Sequence, residues 1–363
     1  MTSTITFDSI RGYYVKPTGN MNHHPHNVLV TGGAGFIGCN FVRHLLTVDA
    51  QIRIVTLDLL TYAGSLDNLR DLPDPARHLF IQGDIGDQEL VHRLLRDYVI
   101  DTVVHFAAES HVDRSITGPA SFVQTNLVGT FTLLEAARQV WLNGSTTAKP
   151  CRFHHISTDE VYGTLKSNEP PFTEITPYAP NSPYSASKAG SDHLVRSYFH
   201  TYGLPVVTTN CSNNYGPFQH GEKFIPTVIR SCLLQQPIPI YGDGSNIRDW
   251  LYVEDHCRGI EQVIRHGRLG ETYNIGGCNE WSNLNITRLI CTLMDERWPE
   301  NAPHNRLITF VTDRPGHDWR YAINASKMGR ELGWQPEETF QTGIAKTVDW
   351  YLQRHAANSI EMN

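Results

Sequence analysis

Short apolar runs alternate with longer amphipathic stretches over residues 27–210 of the chain. The apolar runs predict strands at 28–30, 52–57, 78–82, 102–106, 152–156 and 205–210. Between them, helical periodicity predicts helices that end near residue 48 or cover 88–98 and 119–140. Strands that alternate with helices are typical of a parallel, doubly wound α/β sheet of the Rossmann type. Such a sheet binds its ligands at the carboxyl ends of its strands.

A glycine pattern follows the first strand and opens the first predicted helix, and we interpret Gly33-x-Gly35-x-x-Gly38 as a dinucleotide fingerprint. Glycines allow a tight turn and a close backbone approach, and the helix N-terminus attracts a pyrophosphate. Asp58 ends the second strand, 20 residues past Gly38. A carboxylate there hydrogen-bonds ribose hydroxyls and repels a 2′-phosphate, so the pattern predicts NAD rather than NADP.

Two further strand ends carry candidate cofactor contacts. Asp84 follows the third strand, where its carboxylate could reach an adenine edge or cap a turn. Ala107 and Ala108 follow the fourth strand, and their small side chains would let a cofactor lie close to the backbone.

Residues 157–188 contain most of the candidate catalytic side chains. Thr158 and the adjacent carboxyls of Asp159 and Glu160 follow the fifth strand, while Tyr184 and Lys188 lie four residues apart. That spacing puts the last two on one helix face. A lysine ammonium lowers the pKa of a neighbouring phenol, which predicts Tyr184 as a base near neutral pH. Taken alone, Tyr-x-x-x-Lys is typical of surface helices, and its place after a dinucleotide motif favours catalysis.

The helix that carries this pair has clear end signals. Ser182 suits the N-cap, Pro183 suits the first helical position, and Gly203 suits the far end.

We predict two lobes with a segment at either end. The NAD-binding domain covers residues 27–210, and residues 252–275 return to it; the smaller, interleaved substrate lobe covers 211–251 and 276–352. A polar N-terminal extension covers residues 1–26, and a tail covers 353–363. The extension ends in His23-His24-Pro25-His26, which fits a flexible histidine-rich tail better than a metal site. Three cationic side chains in loop settings could clamp a phosphate, namely Lys223, Arg248 and Arg314.

Composition narrows the class of protein. A net charge of −7 without a basic stripe gives nucleic-acid binding no electrostatic support. No apolar run reaches membrane-spanning length, and no secretory signal is visible. The seven cysteines form no Cys-x-x-Cys pair, as expected of a reduced cytoplasmic protein.

Seven segments, in unbroken order over about residues 27–352, resemble the extended short-chain dehydrogenase/reductase family: GGAGFIG, FAAESHVDRS, STDEVYG, YSASK, SNNYGP, RDWLYVEDH and DRPGHDWRYAI. More narrowly, they resemble the dTDP-glucose 4,6-dehydratase family of lyases in deoxysugar biosynthesis. The Thr-Asp-Glu triplet at 158–160 discriminates, because sugar epimerases of this fold usually lack the Asp-Glu pair and related decarboxylases usually carry serine for the aspartate.

The resemblance implies three steps at one site. Tyr184, helped by Lys188 and Thr158, takes the O4 proton while C4 gives a hydride to NAD⁺. Glu160 then removes the C5 proton, and Asp159 protonates the departing C6 hydroxyl. Hydride returns to C6 and a proton returns to C5, which leaves a nucleotide-linked 4-keto-6-deoxy sugar. Two adjacent carboxyls can be divided by their environments into such an acid and base.

By the same resemblance, the cofactor would meet Gly32, Gly35, Phe36, Ile37, Gly38, Asp58, Thr61, Asp84, Ile85, Phe106, Ala107, Ala108, Ser110, Thr125, Tyr184, Lys188 and Asn214. The nucleotide sugar would meet Ser110, Thr158, Asn213, Lys223, Pro239, Ile240, Tyr241, Arg248, Asn283, Asp313, Arg314 and His317. Metal would have no part. Members of the family are usually homodimers that pair through helices like those at 119–140 and 182–202.

Two alternatives stay open at this point. An epimerase or decarboxylase of the same fold would keep Tyr184 and Lys188 but make no use of Asp159 as an acid. A non-catalytic NAD-binding sensor could keep the fold, although the intact Thr158, Tyr184 and Lys188 argue against it. Thymine and uracil differ by one methyl group, worth about 1–3 kcal/mol in a pocket, so dTDP- and UDP-sugars are both candidate substrates.

Overall fold

The computed structural model describes residues 22–142, 150–313 and 318–361, the last four of them by their backbone alone. Residues 1–21 of the extension therefore lie outside the described part. Within that part, no helix has the length and apolar content needed to cross a membrane.

The strands are β1 (Asn27–Thr31), β2 (Arg53–Asp58), β3 (His78–Gln82), β4 (Thr102–His105), β5 (Arg152–Thr158), β6 (Val206–Cys211), β7 (Asn213–Tyr215), β8 (Ile238–Tyr241), β9 (Ile247–Tyr252), β10 (Thr272–Ile275), β11 (Glu280–Ser282), β12 (Ile308–Val311) and β13 (Arg320–Tyr321).

The α-helices are α1 (Phe36–Val48), α2 (Gln88–Asp97), α3 (Val112–Thr117), α4 (Pro119–Phe122), α5 (Thr130–Leu142), α6 (Pro183–Tyr202), α7 (Phe224–Leu234), α8 (Val253–His266), α9 (Asn283–Arg297), α10 (Ser326–Leu332) and α11 (Phe340–Glu361). A π-helical segment, Val123–Gly129, joins α4 to α5. Short 3-10 turns cover Leu66–Leu69, Pro75–Arg77, Asp159–Tyr162 and His304–Leu307.

Seven strands form one parallel sheet in the order β10-β6-β5-β4-β1-β2-β3. The predicted parallel α/β sheet is confirmed, and each of the six predicted strands lies within two residues of its observed bounds. The order reverses between β1 and β4, and ligand crevices of open α/β sheets lie at such a switch point.

Apolar layers cover both faces of this sheet. On one face, Phe41 and Leu45 of α1 pack with Ile260 of α8, and on the other, Leu94 of α2 packs with Leu133 of α5. Because the strands are buried on both sides, their sequences read as nearly continuous apolar runs. Strand β10 pairs with β6 in register Thr272↔Thr208, so the chain returns to the large sheet after β9.

A second set of elements has its own core. Strand β9 pairs in parallel with β7 and β13 and antiparallel with β11, while β8 pairs with β12. Helices α7, α9 and α11 contribute Ile229, Ile290 and Phe340 to an apolar cluster with Trp250 of β9. This lobe stands beside the carboxyl edge of the large sheet because β7 directly follows β6.

Two predicted end segments are corrected by the structure. Residues 22–26 are held in place: the amide of His23 donates to the Arg265 carbonyl (2.8 Å) and its buried ring bonds the Thr102 hydroxyl (2.6 Å). At the other end, α11 continues to Glu361, so residues 353–361 extend a helix instead of forming a tail. The His355 ring packs edge-on against Trp298, which anchors this last part.

Candidate active site

A deep cleft opens at the carboxyl edge of the large sheet, with an empty volume of about 1660 Å³ including its mouth. Every residue predicted to meet the cofactor lines it, and so do four of those predicted to meet the substrate: Ser110, Thr158, Asn213 and Lys223.

The glycine turn after β1 forms the floor of the cleft, although the fingerprint begins at a different glycine from the one predicted. Gly32 has a φ of +72°, and a Cβ there would lie 2.6 Å from the Ala107 nitrogen. Gly33 instead packs under Thr56 and does not line the cleft. The pattern is therefore Gly32-x-x-Gly35-x-x-Gly38, and a Cβ on Gly38 would lie 2.3 Å from the Gly32 oxygen.

The residues around this turn fit a dinucleotide. Helix α1 begins at Phe36 with Gly35 as an N-cap that offers no side-chain bond, which leaves its first amides for an anion. The buried Asp58 carboxylate accepts the amides of Ala34 (2.9 Å) and Leu60 (2.8 Å) and lines the cleft beside them. Burial raises the pKa of Asp58. Its position at the end of β2 is the one from which a carboxylate meets ribose hydroxyls.

The turn-capping role of Asp84 is confirmed, and its contact with an adenine edge stays a prediction. Its side chain accepts the Gly86 amide at 2.7 Å, which makes it a turn cap, and the residue also lines the cleft.

The π-helical segment brings Thr125 to the cleft and also fixes the loop after β4. Asn126 in this segment accepts the Glu109 amide (2.8 Å), donates to the Glu109 carbonyl (3.0 Å) and donates to the Ser187 hydroxyl (2.8 Å). One buried amide thus ties the cofactor-side loop to the helix that carries Tyr184 and Lys188. π-bulges of this kind are frequent at functional sites.

Helix α6 presents Tyr184 and Lys188 to the cleft, and its predicted end signals are confirmed. Ser182 accepts the Ser185 amide at 3.0 Å in a capping box, Pro183 opens the helix, and Gly203 ends it at φ +72°. Both functional side chains are buried, and the Lys188 ammonium donates to the Ile156 carbonyl at 2.8 Å. Tyr184 bonds Thr158, which lies at the end of the neighbouring strand β5.

The predicted pKa of Tyr184 was wrong in direction. Burial raises the pKa of this phenol well above its usual value, and the nearby Glu160 carboxylate raises it further. Burial also lowers the pKa of Lys188. The spacing locates the pair on one helix face, but it carries no information on how deeply the two groups are buried, and burial shifts the pKa of both.

Asp159 and Glu160 form a 3-10 turn at the end of β5 and have different environments. Glu160 lines the cleft, whereas Asp159 is 2% exposed and lies behind the lining. Among the described residues, its Oδ2 has no hydrogen-bond partner. Burial, followed by the charges of Glu160 and Asp249, raises the pKa of Asp159 well above its usual range. A neutral acid beside a more exposed carboxylate is the division that elimination chemistry needs.

The three side chains predicted to bind phosphate do not lie together in the described structure. Lys223 lines the cleft and donates to the Ser110 carbonyl at 3.2 Å. Arg248 is 7% exposed, stacks 4.5 Å over the Tyr321 ring and donates to the Ile247 and Asp318 carbonyls, so it does not line the cleft. Arg314 lies outside the described residues, as does His317.

The remaining predicted substrate contacts lie in the smaller lobe, away from the lining of the main cleft. Tyr241 and Pro239 are exposed on β8, and Asp313 is exposed near Gly242. Asn283 opens α9, where its amide donates to the Asn246 carbonyl. Ile240 is corrected: its side chain is 1% exposed in the apolar core of the lobe, because alternate residues of β8 point to opposite sides.

No group of three or more His, Cys, Asp or Glu side chains is arranged to hold a metal ion in the part of the chain that the structure describes.

Comparison with known proteins identifies the family. The family model described as GDP-mannose 4,6 dehydratase matches residues 29–347. A dTDP-glucose 4,6-dehydratase of Xanthomonas campestris pv. campestris (strain B100) is 59% identical over 327 residues, which cover 89% of this chain and 92% of the relative. The chain belongs to the nucleotide-sugar 4,6-dehydratase family.

Solved structures of this dehydratase family and of related epimerases differ in their sequence identity to this chain more than in their backbone shape. A dTDP-glucose 4,6-dehydratase from Streptomyces venezuelae, solved with NAD bound, is 46% identical with a TM-score of 0.82 and covers 91% of this chain and 98% of its own. A UDP-glucose 4-epimerase from Thermotoga maritima has a TM-score of 0.80 at 25% identity, covering 91% and 99%. The fold is common to both classes, so the activity must be argued from the site.

Sequence reasoning about this dehydratase missed several residues of the cleft. Glu109 lines it between two predicted contacts, and that position in the loop was the available signal. Gln219 and His220 line it directly after the Asn-Asn-Tyr-Gly-Pro segment. Gly64 also lines it, and a Cβ there would lie 2.8 Å from Asp58 Oδ1, so a larger residue would displace the Asp58 carboxylate.

The mouth of the cleft is bridged by side chains from three segments. The Arg114 guanidinium lies 3.9 Å above the Tyr62 ring and donates to the Glu222 carboxylate at 3.0 Å. The His220 ring packs edge-on against the Tyr62 ring, with 5.9 Å between the ring centroids. This bridge joins the loop after β2 to the segment before α7, across the opening.

Proposed function

We propose that the chain is an NAD-dependent hydro-lyase that converts dTDP-glucose to dTDP-4-keto-6-deoxyglucose, with one water lost from C5 and C6. The observation that carries the proposal is the neutral, buried Asp159 next to the cleft-lining Glu160, close to Thr158 and Tyr184. Oxidation and reduction need the tyrosine and the cofactor alone, whereas elimination needs an acid and a base on the same sugar.

NAD fits the residues that surround the glycine turn. Gly32, Gly35, Gly38 and the start of α1 would hold its pyrophosphate, and Asp58 would hold its adenosine ribose. Bound NAD⁺ supplies a hydride acceptor at C4 of the sugar, and its reduced form later supplies the hydride for C6.

Tyr184 would take the proton from the sugar O4 during oxidation. The phenol must give up its own proton before it can accept that of O4. Because burial raises its pKa, positive charge from Lys188 and from bound NAD⁺ would be needed to favour the phenolate. Thr158 bonds the phenol and orients it. Lys188, four residues further along the same helix, would supply positive charge on the side of the phenolate. The bond from Lys188 to the Ile156 carbonyl keeps its ammonium at the base of the cleft.

Oxidation at C4 acidifies the proton on C5, and Glu160 would remove it because its side chain reaches the cleft. Asp159 would give its proton to the departing C6 hydroxyl. The raised pKa favours the protonated form that this step needs, and among the described residues no hydrogen-bond partner holds the Oδ2 oxygen in its place behind the lining.

The nucleotide would extend toward the smaller lobe. Lys223 and Asn213 line the path from the sugar, and Asn213 Oδ1 has no partner among the described residues. Pro239, Tyr241, Asn283 and Asp313 would then meet the nucleoside, together with Arg314 and His317. Arg248 would act from behind the cleft lining, where its positive charge lowers the pKa of Asp159 and so partly offsets the effect of burial.

We also propose a homodimer that pairs through the helical layer of α4, α5 and α6. Support comes from exposed apolar side chains on this layer, with Val123 49%, Phe131 46% and Tyr202 47% exposed. The cytoplasm is the proposed compartment, supported by the seven cysteines, all of which are free thiols.

The direct test incubates the purified protein with dTDP-glucose and NAD⁺ and weighs the nucleotide sugar by mass spectrometry. We expect the mass of one water to be lost. An unchanged mass with inverted C4 configuration would make the protein an epimerase, and loss of carbon dioxide from a uronate substrate would make it a decarboxylase. UDP-glucose in parallel reports the selectivity for the thymine methyl group.

A further inference from the structure

Below the Tyr184–Lys188 pair lies a buried carboxylate that the proposed mechanism does not use. Asp192 follows Lys188 by one helical turn on α6 and is 5% exposed. Its Oδ1 bonds the His155 ring nitrogen Nε2 at 3.0 Å. Its Oδ2 accepts the hydroxyls of Ser157 (2.8 Å) and Tyr178 (3.0 Å). Three bonds to one carboxylate are more than a chance contact of a surface aspartate would make.

These bonds interlock with that of Lys188. His155 and Ser157 belong to β5, and the residue between them, Ile156, accepts the Lys188 ammonium. Three successive residues of β5 are therefore held by two residues one turn apart on α6. Thr158 is the next residue of the strand, so this attachment sets the distance between Thr158 on β5 and Tyr184 on α6.

Asp192 also balances the charge of Lys188. Its hydrogen-bond partners are neutral: burial holds the pKa of His155 well below its usual value and raises that of Tyr178. Among the influences on Lys188, Asp192 is the strongest that favours the charged form, against the burial that lowers the lysine pKa. Two other titratable groups interact electrostatically with this carboxylate: the charge of His193 lowers the pKa of Asp192, and the charge of Asp192 raises the pKa of Tyr162. Burial raises the pKa of Asp192 to about 6, so it is charged above that pH.

We propose that Asp192 is a positioning residue for the dehydratase reaction: it fastens the end of β5 to α6 and serves as the buried counter-ion that keeps Lys188 charged. The inference rests on the proposed function, because it assigns Asp192 a part in the same chemistry. It acts through Lys188 and Thr158 and touches neither sugar nor cofactor.

The test is the pH profile of kcat/KM for dTDP-glucose in Asp192→Asn, which keeps the shape and removes the charge. Without its counter-ion, Lys188 loses the strongest influence that holds its pKa up against burial, and only the weaker effect of Cys211 remains. The alkaline limb should therefore move to lower pH. We expect a shift of at least about one pH unit, which is about a tenfold loss at a fixed pH on that limb. KM and bound cofactor should stay within about twofold of the wild type.

Tyr178→Phe is the matched control, since it removes one bond to Asp192 and leaves the charge. Its alkaline limb should stay in place even where its rate falls. If Asp192→Asn does not fold, Asp192→Ser is a second neutral variant with the same expected shift. An unmoved limb in a folded neutral variant, or an equal shift in Tyr178→Phe, would overturn the inference. Wild-type protein that loses no water from dTDP-glucose would instead defeat the proposed function itself.

Discussion

Tyr184 illustrates what a single residue can and cannot reveal before its surroundings are known. The Tyr-x-x-x-Lys spacing and the helix caps located this side chain correctly, because helical periodicity and capping are local properties. The direction of its pKa shift depends on burial and on Glu160, which come from other parts of the fold. Gly33 failed for a similar reason, since only the contact with Ala107 distinguishes Gly32 as the turn glycine.

Asp58 carries the first prediction. We expect NAD to bind at least about 100-fold more tightly than NADP, because the buried carboxylate would meet a 2′-phosphate of like charge. Asp58→Asn should narrow this ratio markedly. Titration of both nucleotides, followed by calorimetry after removal of any bound cofactor, measures it.

Asp84→Asn is the control for Asp58, because it neutralises another carboxylate of the same cleft and keeps the oxygen that accepts the Gly86 amide. Its preference for NAD should equal that of the wild type. Equal affinities for the two nucleotides in the unmodified protein would refute the role of Asp58.

At the scale of elements, predictions from the sequence succeeded where one pattern dominates. Strand β3 was predicted at its observed bounds, and α2 within one residue. The π-helical segment was hidden, because Val123–Gly129 reads as ordinary helix in sequence and differs only through tertiary contacts such as those of Asn126. The end of α11 was also missed, since its anchor at Trp298 is distant in the chain.

The exposed apolar layer of α5 and α6 yields a prediction about association. Phe131→Glu should weaken the dimer by at least about tenfold, because a symmetric interface would bury the new charge twice. Sedimentation velocity over a range of concentrations measures the change. Leu234→Glu, at a comparably exposed position on α7, should leave association unaltered. A monomeric wild-type protein, or equal effects of both variants, would contradict the proposed interface.

At the scale of the whole molecule, the sequence predicted the topology of the large sheet but not the geometry of the smaller lobe. Strands and helices of the first 210 residues alternate regularly, whereas β9 pairs with strands from three separate segments, β7, β11 and β13. Such pairings join residues far apart in sequence, which local patterns do not encode. Residues 22–26 belong to the same class, since their attachment depends on Arg265, Thr102 and Asp101.

Attachment of the N-terminal segment should depend on pH through His23. Burial lowers the pKa of this imidazole to about 3, whereas a free histidine titrates near 6.5. The undocked state therefore takes up a proton as pH falls below 6.5, and docking weakens until the folded pKa is reached. At pH 5 this amounts to about 2 kcal/mol, or roughly 30-fold.

Hydrogen exchange of the His23 amide, corrected for the intrinsic effect of pH, measures this docking because that amide donates to the Arg265 carbonyl. Its protection should fall between pH 8 and pH 5 by about that factor. His23→Gln should remove the pH dependence of protection. His24→Gln, at the exposed neighbouring position, is the control and should retain that pH dependence. Constant protection in the wild type would show that His23 is not held in its neutral form.

The most direct test of the account follows the sugar and the cofactor together in Asp159→Asn and Glu160→Gln, by rapid-quench mass spectrometry and absorbance of the reduced cofactor. Both variants should accumulate reduced cofactor with a 4-keto sugar that retains its C6 oxygen, because oxidation needs neither carboxyl. In heavy water, Asp159→Asn should still exchange the C5 hydrogen and Glu160→Gln should not, while Tyr184→Phe should form no reduced cofactor. Normal loss of water in both carboxyl variants would contradict the account, because Asp159 and Glu160 would then not be the acid and base of the elimination.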